Sequence, residues 1–178
     1  MSRQYFMDTL VEPPLANLSA IVATTETALW NVASFSPIAA NDCRPGKIYK
    51  VSAGGIVSTG ASGTLTITPR FGTLVSDTTM GASIAQTVPV SLTNVPWELT
   101  YTMVCRTVGA PGANSTVIGT GTFSMAGTAA TAGSGMNVNF GGTSATVDVS
   151  VTKGVCIGWT LNVAGSVTPQ YVFIQSLN

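Results

Sequence analysis

The residues able to do chemistry are few. The 178-residue sequence holds no histidine, seven acids, seven Lys and Arg residues, and three cysteines. Without histidine neither a Ser-His-Asp nor a Cys-His arrangement can be built. Two routes remain, an activated thiol and a pair of carboxylates. Asp42-Cys43-Arg44 sets a thiol beside a cation, a setting that lowers a cysteine pKa and favours the thiolate. With no base to assist it, the same tripeptide reads more simply as a loop whose Asp and Arg serve its turn. The acids form no pair of informative spacing, so a glycosidase-type pair would have to be assembled by the fold. The glycine-rich stretches lack a GxxxxGK pattern and no helix follows them, which excludes a phosphate cradle.

Cys43, Cys105 and Cys156 are odd in number and unrelated in spacing, with no CxxC. Together with the missing histidines this argues against a zinc site. The sequence therefore predicts no catalytic residue, no metal and no cofactor. The thiols are expected to be free and buried or half-buried, as in a protein made in a reducing cytosol. Trp30, Trp97 and Trp159 remain as binding candidates, because exposed aromatic rings hold sugars by stacking. Trp97 and Trp159 fall on the apolar side of alternating stretches and are expected in the core. Trp30 is uncommitted.

Charge narrows the partners. Only 8% of the residues are charged and the formal net charge is zero, against about 25% charged residues in an ordinary soluble domain. Such a surface has little self-repulsion and favours association. The basic residues are scattered from Arg3 to Lys153, so the cluster that nucleic acid requires is missing. No run approaches the roughly 18 apolar residues of a membrane span. The start, Met1-Ser-Arg-Gln-Tyr-Phe-Met-Asp, puts an acid where a signal peptide needs its apolar run. The chain is expected to remain in the compartment where it is made.

The elements that would position these groups are strands. In Trp97-Glu-Leu-Thr-Tyr-Thr-Met-Val-Cys-Arg106, every second residue is apolar and bulky (Trp97, Leu99, Tyr101, Met103, Cys105). A period of two places these on one face of a pleated strand. Further strands are expected over Leu29 to Phe35, Lys47 to Ser58, Thr64 to Phe71, Thr87 to Leu92, Ser115 to Ser124, Ala145 to Val151, Val155 to Val163 and Val167 to Leu177. Gly54-Gly55, inside the second of these, predicts a bulge or the close approach of another backbone. Gly60-Ala-Ser-Gly63 is a hairpin-sized loop, Pro69 predicts an edge, and the Gly/Ala/Thr/Asn run from Gly127 to Gly142 predicts a long loop or irregular edge.

Residues 1–27 differ in composition. They mix large apolar residues with Pro13-Pro14, which forbids a helix there. They are expected to form an extended N-terminal arm laid across the body or a neighbour, or else a first strand on the chain's own sheet. Arg3, Tyr5, Phe6, Leu10, Val11 and Leu15 are its candidate assembly contacts. Residues 28–178 are expected to form one all-β domain of about eight strands. Short strands with regular turn signals predict an antiparallel β-sandwich, jelly-roll-like in preference to immunoglobulin-like.

Across residues 29–178 the sequence resembles small virion structural proteins of tailed bacteriophages. The segments that carry the likeness include Leu29-Trp-Asn-Val-Ala-Ser-Phe-Ser-Pro-Ile-Ala-Ala-Asn41, Arg44-Pro-Gly-Lys-Ile-Tyr49, Gly55-Ile-Val-Ser-Thr-Gly60 and Thr64-Leu-Thr-Ile-Thr-Pro-Arg-Phe-Gly72. It continues in Leu92-Thr-Asn-Val-Pro-Trp-Glu-Leu99, Cys105-Arg-Thr-Val-Gly109, Ile118-Gly-Thr-Gly-Thr-Phe123 and the closing strand to Asn178. These are strand and turn patterns and carry no catalytic residue across. The resemblance implies a non-enzymatic β-sandwich assembly component of a phage particle, made in the host cytoplasm and often trimeric. A capsid decoration protein bound to the major capsid protein is the favoured form. A minor tail or baseplate protein, with host-carbohydrate binding, is the alternative. Neither nucleic acid nor membrane is an expected partner.

Overall fold

The computed structural model describes residues 7–11, 17–22, 24–30, 38–72, 77–81, 84–112, 114–127, 135–142 and 144–177. Among them are twelve strands and no helix, arranged as two antiparallel sheets. The seven-stranded sheet contains β1 (Met7–Val11), β3 (Ile48–Thr59), β7 (Leu92–Thr107), β8 (Ser115–Met125), β9 (Met136–Gly141), β10 (Ala145–Val147) and β12 (Gly165–Leu177). Its order is β1-β12-β3-β7-β8-β10, with β9 pairing the other end of β8. The five-stranded sheet contains β2 (Thr27–Ala28), β4 (Gly63–Phe71), β5 (Thr78–Thr79), β6 (Ile84–Val88) and β11 (Val155–Leu161). Its order is β2-β11-β4-β5, with β6 also on β4. The expected sandwich is thus observed, with more strands than expected because several are short edge pieces.

The 16-residue β7 is the long central strand. Trp97, Leu99, Tyr101, Met103 and Cys105 are buried while Glu98, Thr100 and Arg106 are exposed, as the alternation requires. Facing them across the interior are Leu65, Ile67 and Phe71 of β4 and Val155, Ile157, Trp159 and Leu161 of β11, all buried. Three rings join the sheets. Trp159 lies with its centroid 5.6 Å from Trp97 and 5.7 Å from Phe123, the latter edge-on. Such pairs contribute about 0.5–1.5 kcal/mol each beyond their buried area.

Small residues make room for these rings. Tyr101 lies across Gly119 and Gly121 of β8, stacks on Phe140 at 5.6 Å, and donates its hydroxyl proton to the Met80 carbonyl at 2.9 Å. A Cβ at Gly121 would stand 2.5 Å from the Thr100 carbonyl oxygen and 2.7 Å from Phe140. The close approach expected at Gly54-Gly55 is also present. The Tyr171 ring lies against Gly54, Gly55 abuts the Thr168–Pro169 backbone, and β12 shifts register between Pro169 and Tyr171.

Four local expectations need correction. Gly60 to Gly63 is not a hairpin turn, since it joins β3 and β4 in different sheets. The strand expected from Ala145 to Val151 stops at Val147, where Asp148 Oδ1 accepts from the Ser150 amide at 2.9 Å and closes an Asx-type turn. The strand expected at Thr87 to Leu92 is Ile84–Val88 instead, broken at Pro89 before Ser91 with φ 56°. The strand expected from Leu29 is shorter and earlier, at Thr27–Ala28, with Leu29 and Trp30 in a bend beyond it; residues 31–37 lie outside the described residues. Pro69, read as an edge signal, sits where β4 lacks a second partner strand, between the stretches covered by β6 and β5.

Because backbone bounds the space at Gly121, no rotamer change relieves a side chain there. Gly121→Val is expected to lower stability by about 1–3 kcal/mol or more. Gly60→Ala, whose Cβ would meet nothing closer than 3.8 Å, should stay near wild type. Urea unfolding midpoints compare the two, and equal midpoints would refute this account of β8.

Candidate functional site

Asp42-Cys43-Arg44 does not build an activated thiol. Cys43 is 3% exposed, and burial pushes its thiol up to about 11. Arg44 points to solvent. The polar work at this corner falls to Asp42, whose Oδ1 accepts from Lys47 Nζ at 2.5 Å and whose Oδ2 accepts from the Tyr49 hydroxyl at 2.7 Å. Burial works to raise the Asp42 pKa, but the bonds from Lys47 and Tyr49 outweigh it and the net shift is downward. The group clamps the loop after Ile38 onto the start of β3. Cys105 is raised by burial, and Cys156 is pushed by burial up to about 12. All three cysteines are free and buried, as expected.

The fold does bring two acids together, at Arg70 on β4. Its Nε and Nη2 donate to Glu26 Oε1 and Oε2 at 2.7 and 2.8 Å, and its Nη1 donates to the Asp77 carbonyl at 2.8 Å. Asp77 Oδ1 in turn accepts from Lys153 Nζ at 3.2 Å. Both Glu26 oxygens are bound to one guanidinium, in a two-pronged geometry that fixes orientation. The carboxyl group of Glu26 lies over Gly158, and Cys156 on the same strand is fully buried. This explains why β11 is buried on both sides, where the sequence alternation predicts one wet face. The cluster is a clasp holding residues 26, 77 and 153 across the five-stranded sheet.

Trp30 is buried, as are Trp97 and Trp159, so none offers a ring face to a ligand. Among the described residues, a ring pair that reaches the surface is one that sequence reading passed over, Tyr171 and Phe173 on β12. Both are half-buried, with centroids 6.3 Å apart and planes 26° from parallel. Val172 and Ile174, between and beyond them, are buried, so the pair stands on the outer face of the seven-stranded sheet.

Strand register sets out that face in rows. One row runs Phe173, Ser52, Thr100, Thr122, Asn139, across β12, β3, β7, β8 and β9. The row beside it runs Tyr171, Gly54, Glu98, Ser124, Asn137. The Thr100 and Thr122 hydroxyls are 2.8 Å apart. Over β7, β8 and β9 the face dips into an open trough of about 550 Å³, lined by Thr100, Thr102, Thr120, Thr122 and Asn139 among others.

Of the candidate assembly contacts, Leu10 and Val11 belong to β1, which pairs with β12 from Met7↔Leu177 to Val11↔Ile174. Arg3, Tyr5, Phe6 and Leu15 lie outside the described residues. Further along, the Leu18 amide bonds the Pro169 carbonyl at 2.9 Å and Ile21 bridges Val167. Described residues of this N-terminal stretch therefore follow the edge of β12 that faces away from β3.

The geometry defines an all-β, two-sheet sandwich with a polar, aromatic-edged sheet face. No family model matches the sequence, and no curated protein does. Among solved structures the chain is similar to the CBM2 module of the evolved Dit protein of Lactobacillus casei BL23 phage J-1. That similarity has 13% identity and a TM-score of 0.23, and covers 76% of this chain and 67% of that one. A likeness of this depth carries no argument about function.

Two outcomes test these assignments. With thiols raised by burial, a disulfide thiol reagent at about pH 8 should leave the native protein unmodified and titrate all three cysteines only after denaturation. Rapid labelling of Cys43 in the native state would contradict the packing at that corner. Asp42 has a lowered folded-state pKa, so its stabilisation is complete above its unfolded value and is lost as pH falls through the folded one. Asp42→Asn should therefore be less stable than wild type at neutral pH, and the difference should shrink on acidification from about pH 5 to about pH 2. Urea midpoints across that range measure it.

Proposed function

We propose that this protein is a non-enzymatic structural component of a tailed-phage particle, and within that class a capsid decoration protein. In this reading it binds the major capsid protein as a trimer and stabilises the head shell by bridging neighbouring capsomers. The observation that best supports it is the seven-stranded sheet's terminal strand. β1 is five residues long and is joined to the sandwich through its pairing with β12; it has no second partner strand among the described residues. A strand edge of this kind accepts a strand from a neighbour by main-chain pairing. Repetition at equivalent shell positions multiplies a modest contact by avidity. The shortage of charge, 14 charged residues in 178, lowers the repulsion between copies packed side by side.

The sequence resemblance supports the same class. Placement on a tail or baseplate is the second reading, favoured by the half-buried Tyr171–Phe173 pair on the sheet's outer face. Immunogold labelling of the source particles, viewed by electron microscopy, separates the two. Gold spread evenly over heads is the expected result, whereas gold confined to a tail would overturn decoration and particles without gold would overturn the class. A chain lacking residues 1–11 is expected to fold, because the sandwich core lies beyond it, and to lose binding to undecorated shells.

A further inference from the structure

We infer that the outer face of the seven-stranded sheet binds a neutral polysaccharide, laid across the strands with one end on the Tyr171–Phe173 rings. This activity goes beyond the structural role and does not depend on where in a particle the protein sits.

Three features converge on that ligand class. First, Tyr171 and Phe173 present neighbouring, nearly parallel ring faces. The Tyr171 ring rests on Gly54, where a Cβ would come within 2.5 Å of it, so the ring is braced from one side in place. A ring face is electron-rich and takes the positively polarised C–H face of a pyranose.

Second, the row leading away from Phe173 crosses one residue per strand, first Ser52, which is buried, and then Thr100, Thr122 and Asn139. Neighbouring strands lie about 4.8 Å apart, so the row spans roughly 19 Å and matches the repeat of an extended hexose chain to within a fraction of an ångström per unit. Hydroxyl and amide side chains both donate and accept, which suits sugar hydroxyls in either role. Thr100, Thr122 and Asn139 are exposed, and the trough above them, about 550 Å³, falls within the roughly 300–1,000 Å³ of small-ligand sites.

Third, the charges are balanced. Glu98 flanks the row on one side, opposite Gly54, and Lys50 flanks it on the other, opposite Thr102. With one charge of each sign beside it the row itself carries no net charge, Arg106 lying further along β7 on the same face, and both flanking groups can hydrogen-bond a neutral chain. An acidic polysaccharide would need the basic cluster that the sequence lacks.

Affinity electrophoresis of the full-length protein in gels containing dextran, hydroxyethylcellulose, galactomannan or laminarin tests the site, with alginate as the anionic control. Retardation in at least one neutral gel and none in alginate is the expected result. Phe173→Ala should weaken the retardation at least tenfold. Thr122→Ala with Asn139→Ala, at the far end of the row and exposed, should weaken it several-fold while leaving the thermal unfolding midpoint in place. That second variant keeps the test valid if removal of Phe173 disturbs folding. Free migration in every neutral gel, equal retardation in alginate, or unchanged retardation of the Thr122/Asn139 variant would each overturn the inference. Because the assay uses the purified protein, its outcome is independent of gold labelling on particles.

Discussion

The contact of Trp159 with Trp97 and Phe123 is what makes two sheets one protein. Trp159 comes from the five-stranded sheet and the other two rings from the seven-stranded one. All three rings are buried, and an aromatic side chain carries 150–250 Å² of area to hide. The rest of the interior follows from their size. Gly119 and Gly121 give up side chains so that Tyr101 can lie flat beside Phe123's strand, and the Tyr101 hydroxyl, forced inward, finds the Met80 carbonyl. A buried hydroxyl left without a partner would cost roughly 1–3 kcal/mol. The segment after β5 is thereby drawn into the core by a polar bond.

The few charges are distributed unevenly, and this decides which surface is free. Glu26, Arg70, Asp77 and Lys153 converge on the five-stranded sheet, covering Gly158 and Cys156. Asp42 and Lys47 pin the corner before β3. These pairs are partly buried, so desolvation offsets part of their attraction while breaking one leaves its partner uncompensated; beyond that their effect is positional. They fix connecting segments over one sheet and leave the outer face of the other to Thr, Ser and Asn. Apart from Lys50, Glu98 and Arg106 the described part of that face is uncharged, and water on it can be displaced by hydroxyl groups.

How far the sequence reveals this depends on whether each pattern has a single physical cause. The alternation in β7 has one, a strand wet on one side, and it specifies the observed burial residue by residue. In β11 the same alternation misleads, because Glu26, distant in sequence, closes the second face. Asp148 ends its strand by a side-chain bond that the run Ala145, Val147, Val149 conceals. Gly60 to Gly63 has the length of a hairpin and the role of a crossing, a distinction that only the partner sheets settle. Tyr171-Val-Phe-Ile174 is apolar on both sides, so periodicity cannot say which pair faces in. In the structure Val172 and Ile174 are buried, while Tyr171 lies outside over Gly54 and Phe173 beside it opposite Ser52.

Gly54 therefore links the fold to the proposed function. It was legible as a place where something approaches closely, and what approaches is a ring from the last strand. An Ala there would push Tyr171 away from the sheet, and the ring pair would lose both its backing and its alignment with the threonine row. A structural role needs only the edge of this sheet and the core behind it, and would tolerate any polar residues on the outer face. The pairing of a braced aromatic step with a row of hydroxyl and amide groups, on a face otherwise nearly free of charge, is more specific than solubility or assembly requires.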